Sequence, residues 1–148
     1  EAYMLKKIPS ILSPELLKIL MEMGHADEIV IADGNFPSAS CARRLVRLDG
    51  HGVPEILDAV LSLMPLDSHS DHKAWLMEVV PGDSVETPQI WDTYAEITRR
   101  HESDFNGFSS IERFAFYERA KQAYAIIATG ESALYANIIL KKGVVSPE

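Results

Sequence analysis

Apolar residues first recur at helical spacing in the segment from Leu16 to Met23, where Leu16, Leu17, Leu20, Met21 and Met23 supply one face. Ser13-Pro14-Glu15 marks its start and Gly24 its end. The serine oxygen can accept from a free first-turn amide, proline at the first helical position gives up an N–H that has no partner there, and Glu15 complements the helix dipole. The period then changes. Glu28 to Ala32 (EIVIA) is short, apolar and β-branched, and reads as a buried strand. Val53 to Met64 returns to helical spacing and is stopped by Pro65. Ala74 to Val80 (AWLMEVV) predicts a strand ended by Pro81-Gly82-Asp83. Pro88 to His101 and Glu112 to Gln122 predict two further helices. Strands are predicted over Tyr124 to Thr129 and Ala136 to Leu140, with Gly130-Glu131 turning the chain between them. Helices alternating with short apolar strands predict an α/β domain built on a largely buried sheet, with its strand order not legible.

Composition narrows this picture. A chain of 148 residues without repeats or a long linker fits one domain, able to bury about 70% of its unfolded surface. Its 47% hydrophobic and 24% charged residues are those of a soluble globular protein. A formal net charge of −8 disfavours nucleic acid or an anionic membrane as partner. Cys41 is the only cysteine, so no internal disulfide forms; a buried spectator thiol in a reducing compartment is expected. No apolar run approaches the ~18 to 20 residues of a membrane helix and no signal-peptide layout is present, so a cytoplasmic location is expected. Met4 reads as a natural start, with Glu1-Ala2-Tyr3 as an added leader.

The candidate chemistry lies at element ends. His25 follows the first helix directly. At the negative end of a helix dipole it reads either as a proton donor near neutral pH or as a cap on the last carbonyls. Asp33 closes the next strand ahead of Gly34-Asn35 and reads as a ligand-facing carboxylate or as an Asx-turn residue. Eight residues of extended chain span roughly 26 Å at ~3.3 Å each, so His25 and Asp33 do not easily meet in one small pocket. Either the Asn35-Phe36-Pro37 loop folds back or neighbouring subunits share the site. Arg113 and Tyr117 stand four apart on one helix face, offering a planar donor set and a phenol to a sugar. Their plainer reading pairs Arg113 with a surface carboxylate and packs Tyr117 against Phe114 and Phe116. Tyr135 and Asn137, two apart, share a side if the segment is extended; a turn-forming Asn137 is the alternative. These groups suit a polyhydroxylated ligand.

Other clusters add less. The DSHSDH string from Asp67 to His72 resembles a metal-ligand string, but following Pro65 and rich in serine it reads as a solvated loop. No Walker loop, GxGxxG or serine nucleophile elbow occurs, so no nucleotide cofactor is indicated. Thr129-Gly130-Glu131-Ser132 lacks a following lysine, and His51 sits between two glycines without an obvious partner.

GHADEIVIAD, RFAFYERA and TGESALYANIILKKGV together resemble the ribose pyranase/L-fucose mutarotase family of sugar-anomer enzymes, over about Lys6 to Val144. RFAFYERA with Tyr-Ala-Asn is closer to the L-fucose branch, in which Tyr-Gly-Asn often stands where this chain has Tyr135-Ala136-Asn137. The resemblance implies a three-layer α/β/α fold with a mixed sheet, one sugar mutarotase domain over 1–148, and a ring-based homo-oligomer, commonly a decamer of two pentamers, with sites at subunit contacts. It implies His25 as proton donor and Asp33, Arg113, Tyr135 and Asn137 as sugar-binding residues, with Tyr117 in support. The implied reaction is interconversion of the α and β anomers of L-fucose or a related monosaccharide, with no metal and no cofactor. Alternatives are a non-catalytic sugar-binding or regulatory protein, a pyranase for ribose-like sugars, and a metal-dependent isomerase or hydrolase using Asp67 to His72.

Overall fold

The computed structural model describes residues 4–147; Glu1, Ala2 and Tyr3, expected above to precede a natural start at Met4, lie outside the described residues. Its elements run α1 (Pro14–Glu22), β1 (Glu28–Ala32), α2 (Ser38–Cys41), β2 (Leu45–Leu48), α3 (Val53–Leu61), β3 (Ala74–Met77), α4 (Ile90–His101), β4 (Ser109–Ile111), α5 (Arg113–Gln122), β5 (Ala125–Thr129) and β6 (Ile138–Lys141). All six strands form one sheet in the order β2-β5-β1-β6-β3-β4. β1 is parallel to β5, β5 to β2 and β3 to β4, whereas β6 runs antiparallel to both of its neighbours, β1 and β3. The sheet is therefore mixed.

Alternation along the central strands divides the core in two. Ile29 and Ile31 of β1, Ile127 of β5 and Ile138 and Leu140 of β6 pack toward α1, α3 and α4, with Leu16, Ile56, Leu57 and Tyr94 opposite. Val30, Ala32, Ile126 and Ile139 point the other way, onto Phe116 and Ala120 of α5 and Cys41 of α2. Successive strand side chains alternate faces, so helices on both sides require an apolar residue at every central position. That is the reason IVIA in β1 and AIIA in β5 are continuous apolar runs. The architecture is three-layer α/β/α. Each fully buried Ile or Leu contributes roughly 1.5–3 kcal/mol to it.

Several element ends differ from expectation. α3 stops at Leu61 rather than Met64, and β3 at Met77 rather than Val80. Residues 78–80 leave the sheet after the Glu78 amide donates to the Ile111 carbonyl. α2, β2 and β4 are additional elements of three or four residues. Among the described residues, no helix is long and apolar enough to cross a membrane.

Candidate active site

The strand directions place two groups of polar residues at opposite ends of the sheet. Since β6 is antiparallel to both β1 and β3, the C-terminal ends of β1, β3, β4 and β5 meet at one end, together with the start of β6. Open α/β sheets bind ligands at the carboxyl ends of their strands. At that end lies a cavity of about 210 Å³, with Asp33, Asp83, Arg113, Tyr117, Tyr135 and Asn137 on its polar side. Phe36, Met77, Val80 and Leu134 form an apolar wall. The volume is below the ~300–1,000 Å³ of pockets for drug-sized ligands and suits a smaller molecule.

Asp33 and Asn137 are buried and linked across 104 residues of chain. The Asp33 amide donates to Asn137 Oδ1 at 2.7 Å, while Asp33 Oδ1 accepts from the Asn35 amide at 3.0 Å and Oδ2 from the Ala136 amide at 3.3 Å. Asp33 is thus both the Asx-turn residue and a cavity carboxylate. Burial pushes its carboxyl above the usual range, against the backbone amides that hold it down. The Asp33 amide also orients Asn137, because only the amide oxygen can accept from it; the NH₂ group is left to donate.

Arg113 opens α5 behind Glu112, whose carboxylate caps the helix by accepting from the Phe114 and Ala115 amides. Arg113 and Tyr117, one turn apart, both line the cavity. The surface ion pair of the plainer reading does not form: among the described residues the Arg113 guanidinium has no carboxylate partner and rests over the Phe114 ring at 4.7 Å. The Tyr117 ring packs edge-on against Phe36 and Phe114, with Phe36 in the place expected of Phe116.

Tyr135 reaches the cavity by a different route from the expected one. It is not in an extended segment but in a turn, with φ +57. A left-handed non-glycine residue costs on the order of 1–2 kcal/mol, and the surroundings fix it. The Trp91 indole N–H donates to the Tyr135 carbonyl at 2.7 Å, and the Tyr94 hydroxyl to the Ala136 carbonyl at 2.7 Å. The Tyr135 hydroxyl donates to Asp83 Oδ2 at 2.5 Å and accepts from the Val80 amide at 3.2 Å. The Asp83 carboxylate raises the phenol of Tyr135, and the same bond lowers Asp83.

His25 does not line this cavity. It precedes β1, whose end residues alone stand roughly 13 Å apart, at the other end of the sheet. Nor does it cap α1. Lys142 Nζ donates to the Leu20 and Met23 carbonyls instead. His25 Nε2 lies 3.1 Å from Oδ1 of Asp67. Asp67 corrects the reading of its segment as a solvated loop, since it is buried while His69, Asp71 and His72 are exposed. The Asp67 amide donates to the Lys141 carbonyl and the Gly143 amide to the Pro65 carbonyl, so the end of β6 pins this segment. A Cβ on Gly143 would lie 2.3 Å from the Leu66 carbonyl oxygen; only glycine permits that approach. Burial alone would push the Asp67 carboxyl up, but the His69 amide, the His25 ring and Lys141 together hold it below its ordinary range. Nothing local in the sequence marks Asp67 as the partner of His25, 42 residues away.

Comparison with known proteins agrees with the fold. The model of the RbsD / FucU transport protein family matches residues 6–145. A fucose mutarotase of Danio rerio is 52% identical over 150 residues, covering 97% of this chain and 96% of that protein. The crystal structure of the fucose mutarotase in complex with L-fucose from Streptococcus pneumoniae superposes with a TM-score of 0.91 at 58% identity, covering 96% of this chain and all of that one. Bacillus subtilis RbsD complexed with D-ribose aligns at 25% identity and a TM-score of 0.71, covering 91% and 95%. With one family model matching nearly its whole length and relatives more than half identical, the chain belongs to the RbsD / FucU family.

Proposed function

We propose that the chain is an L-fucose mutarotase, one sugar mutarotase domain that interconverts the α and β anomers of L-fucose in the cytoplasm. The observation that carries this reading is the convergence of Asp33, Arg113, Tyr117, Tyr135 and Asn137 on one small cavity with an apolar wall. The chain is 58% identical to a fucose mutarotase whose structure is a complex with L-fucose. These side chains offer donors and acceptors for ring hydroxyls, and the wall offers a surface for the sugar's carbon face.

Anomer exchange opens the cyclic hemiacetal, rotates about one bond and closes it again. The ring oxygen gains a proton while the C1 hydroxyl loses one, and closure reverses both steps. Positioned acid–base groups supply ~10²- to 10⁴-fold acceleration, enough for a reaction that already proceeds in water. In this reading His25 donates the proton, oriented by the Asp67 carboxylate. Asp33, whose burial raises its proton affinity, is the cavity carboxylate that takes the proton of the C1 hydroxyl. Arg113, Tyr135 and Asn137 hold the hydroxyls, with Tyr117 stacking beside them. Because one chain holds His25 and the cavity at opposite ends of its sheet, the complete site forms between subunits; the family resemblance makes the assembly a ring-based homo-oligomer, commonly a decamer of two pentamers. The exposed apolar residues Val80, Phe114 and Leu134 at or beside the cavity suit such a contact.

Saturation-transfer NMR of L-fucose at substoichiometric protein tests the reading. Wild-type protein should accelerate exchange, and His25→Ala should slow it at least ~10-fold with the fold intact. Sugar binding without acceleration would instead identify a non-catalytic binding protein. Wild-type rates in the variant would remove His25 as donor.

A further inference from the structure

The end of the sheet that carries His25 holds more than a proton donor. His69, two residues beyond Asp67, folds back so that its ring packs edge-on against His25, centroids 5.6 Å apart. His69 Nδ1 lies 3.7 Å from Asp67 Oδ1, the same oxygen that His25 Nε2 approaches at 3.1 Å. One ligand atom from each of His25, Asp67 and His69 falls within 4.8 Å of the others. His72, by contrast, turns away to Ser109.

We propose that His25, Asp67 and His69 form a binding site for a divalent ion of the zinc class, and that occupancy silences His25. Zinc binds imidazole nitrogen and carboxylate oxygen at roughly 2.0–2.2 Å in a tetrahedron, which places neighbouring ligand atoms about 3.4 Å apart. The separations of 3.1 and 3.7 Å bracket that edge, so small side-chain rotations suffice. Two imidazoles with one carboxylate suit zinc or a neighbouring transition metal rather than calcium or magnesium, which prefer all-oxygen shells. Three protein ligands leave the fourth position open, and the two rings are accessible, with side-chain exposures of 45% for His25 and 72% for His69 against 4% for Asp67. The buried carboxylate is held in place by the His69 amide, so one ligand is fixed beforehand. Lys141 Nζ stands 3.8 Å from its other oxygen. That cation weakens attraction for a metal and makes the site a reversible one.

A metal on Nε2 of His25 takes the place of the proton that faces Asp67 and rules out the imidazolium, leaving an Nδ1–H too weakly acidic to donate near neutral pH. The inhibitory half of the inference rests on His25 being the donor; the binding half does not. Zinc chloride titrated into metal-free protein, followed by calorimetry and by histidine ring NMR, should show one zinc per chain, with the His25 and His69 signals shifting together. His69→Ala should weaken binding at least tenfold. Absence of saturable binding, or unchanged affinity in that variant, overturns the site. L-fucose exchange should fall at least tenfold on zinc saturation and recover with chelator. His69→Ala should keep the zinc-free rate and need at least tenfold more zinc for the same loss. Binding without loss of exchange overturns the silencing and leaves the site. Zinc-free protein that accelerates nothing refutes the mutarotase reading, while the isotherm still decides the site.

Discussion

Asp67 shows how one residue's surroundings decide its chemistry. Its carboxyl is almost wholly buried, which by itself disfavours charge, yet it accepts from the His69 amide and faces the His25 ring and Lys141. The net result is a carboxyl held below its ordinary value of 3.8. An acid that is stronger in the folded than in the unfolded chain stabilises the fold above its unfolded pKa, and that contribution disappears as pH falls through the folded value. Wild-type protein should therefore exceed Asp67→Asn in stability at neutral pH, with the gap closing below about pH 4. Chemical denaturation of both proteins from pH 7 to 3 measures this. A gap that stays constant with pH would show that the charge of Asp67 contributes nothing. Asp33 runs the opposite way, raised by burial against the backbone amides that hold it down. Two carboxylates thus sit at two ends of one sheet with their proton affinities pushed apart.

At the scale of elements, α4 is the support of the cavity although none of its residues lines it. Trp91 and Tyr94, nearly one turn apart, hold consecutive carbonyls at Tyr135 and Ala136 and so maintain the left-handed turn. Tyr94 is fully buried. Tyr94→Phe leaves the ring in place and removes the donor, so the Ala136 carbonyl goes unsatisfied at a cost of about 1–3 kcal/mol. Thermal or chemical unfolding should show that loss, and calorimetry should show weaker L-fucose binding. Unchanged stability with unchanged affinity would mean that α4 does not support the turn. None of this was legible in the sequence, where Tyr135 and Asn137 looked coupled by strand alternation; they do converge, through a turn that spacing cannot reveal. The long elements were legible because periodicity accumulates over nine or more residues, as in α1 and α3, and because β1 and β5 each carry four consecutive apolar residues. β2, β4 and α2 were not. Three or four residues carry too little periodicity, and Arg47 in β2 and Ser109 and Ser110 in β4 are tolerated because both strands lie at the sheet's edges. Arg113 with Tyr117 was legible because the i, i+4 relation is local. The partnership of His25 with Asp67 was not, because it is made by the return of β6 past both segments.

For the whole molecule, the topology turns an awkward spacing into a constraint on assembly. His25 and Asp67 stand before the N-terminal end of β1 and against the end of β6, whereas the cavity stands past the C-terminal end of β1 and before the start of β6. The sheet is one packed layer with helices on both faces, so no loop movement short of unfolding brings the two ends together. On the proposed mechanism a proton donor from one chain and a cavity from another can meet only if copies associate, and such contacts close into rings where they are heterologous and the rotation permits. Such an arrangement makes two defective chains complementary. His25→Ala retains a complete cavity and lacks the donor; Asn137→Ala retains the donor and lacks a cavity contact. Each alone should be slow in L-fucose exchange. If the two variants are co-refolded in equal amounts, a site is intact only where a His25→Ala cavity meets an Asn137→Ala donor, roughly a quarter of all sites under random assortment. Exchange should then recover to about that fraction of wild type, while the same proteins refolded separately and mixed briefly should show none of the gain. Were donor and cavity of one chain to serve the same site, every mixed assembly would still carry one lesion per site, and co-refolding would leave the rate at the average of the two variants.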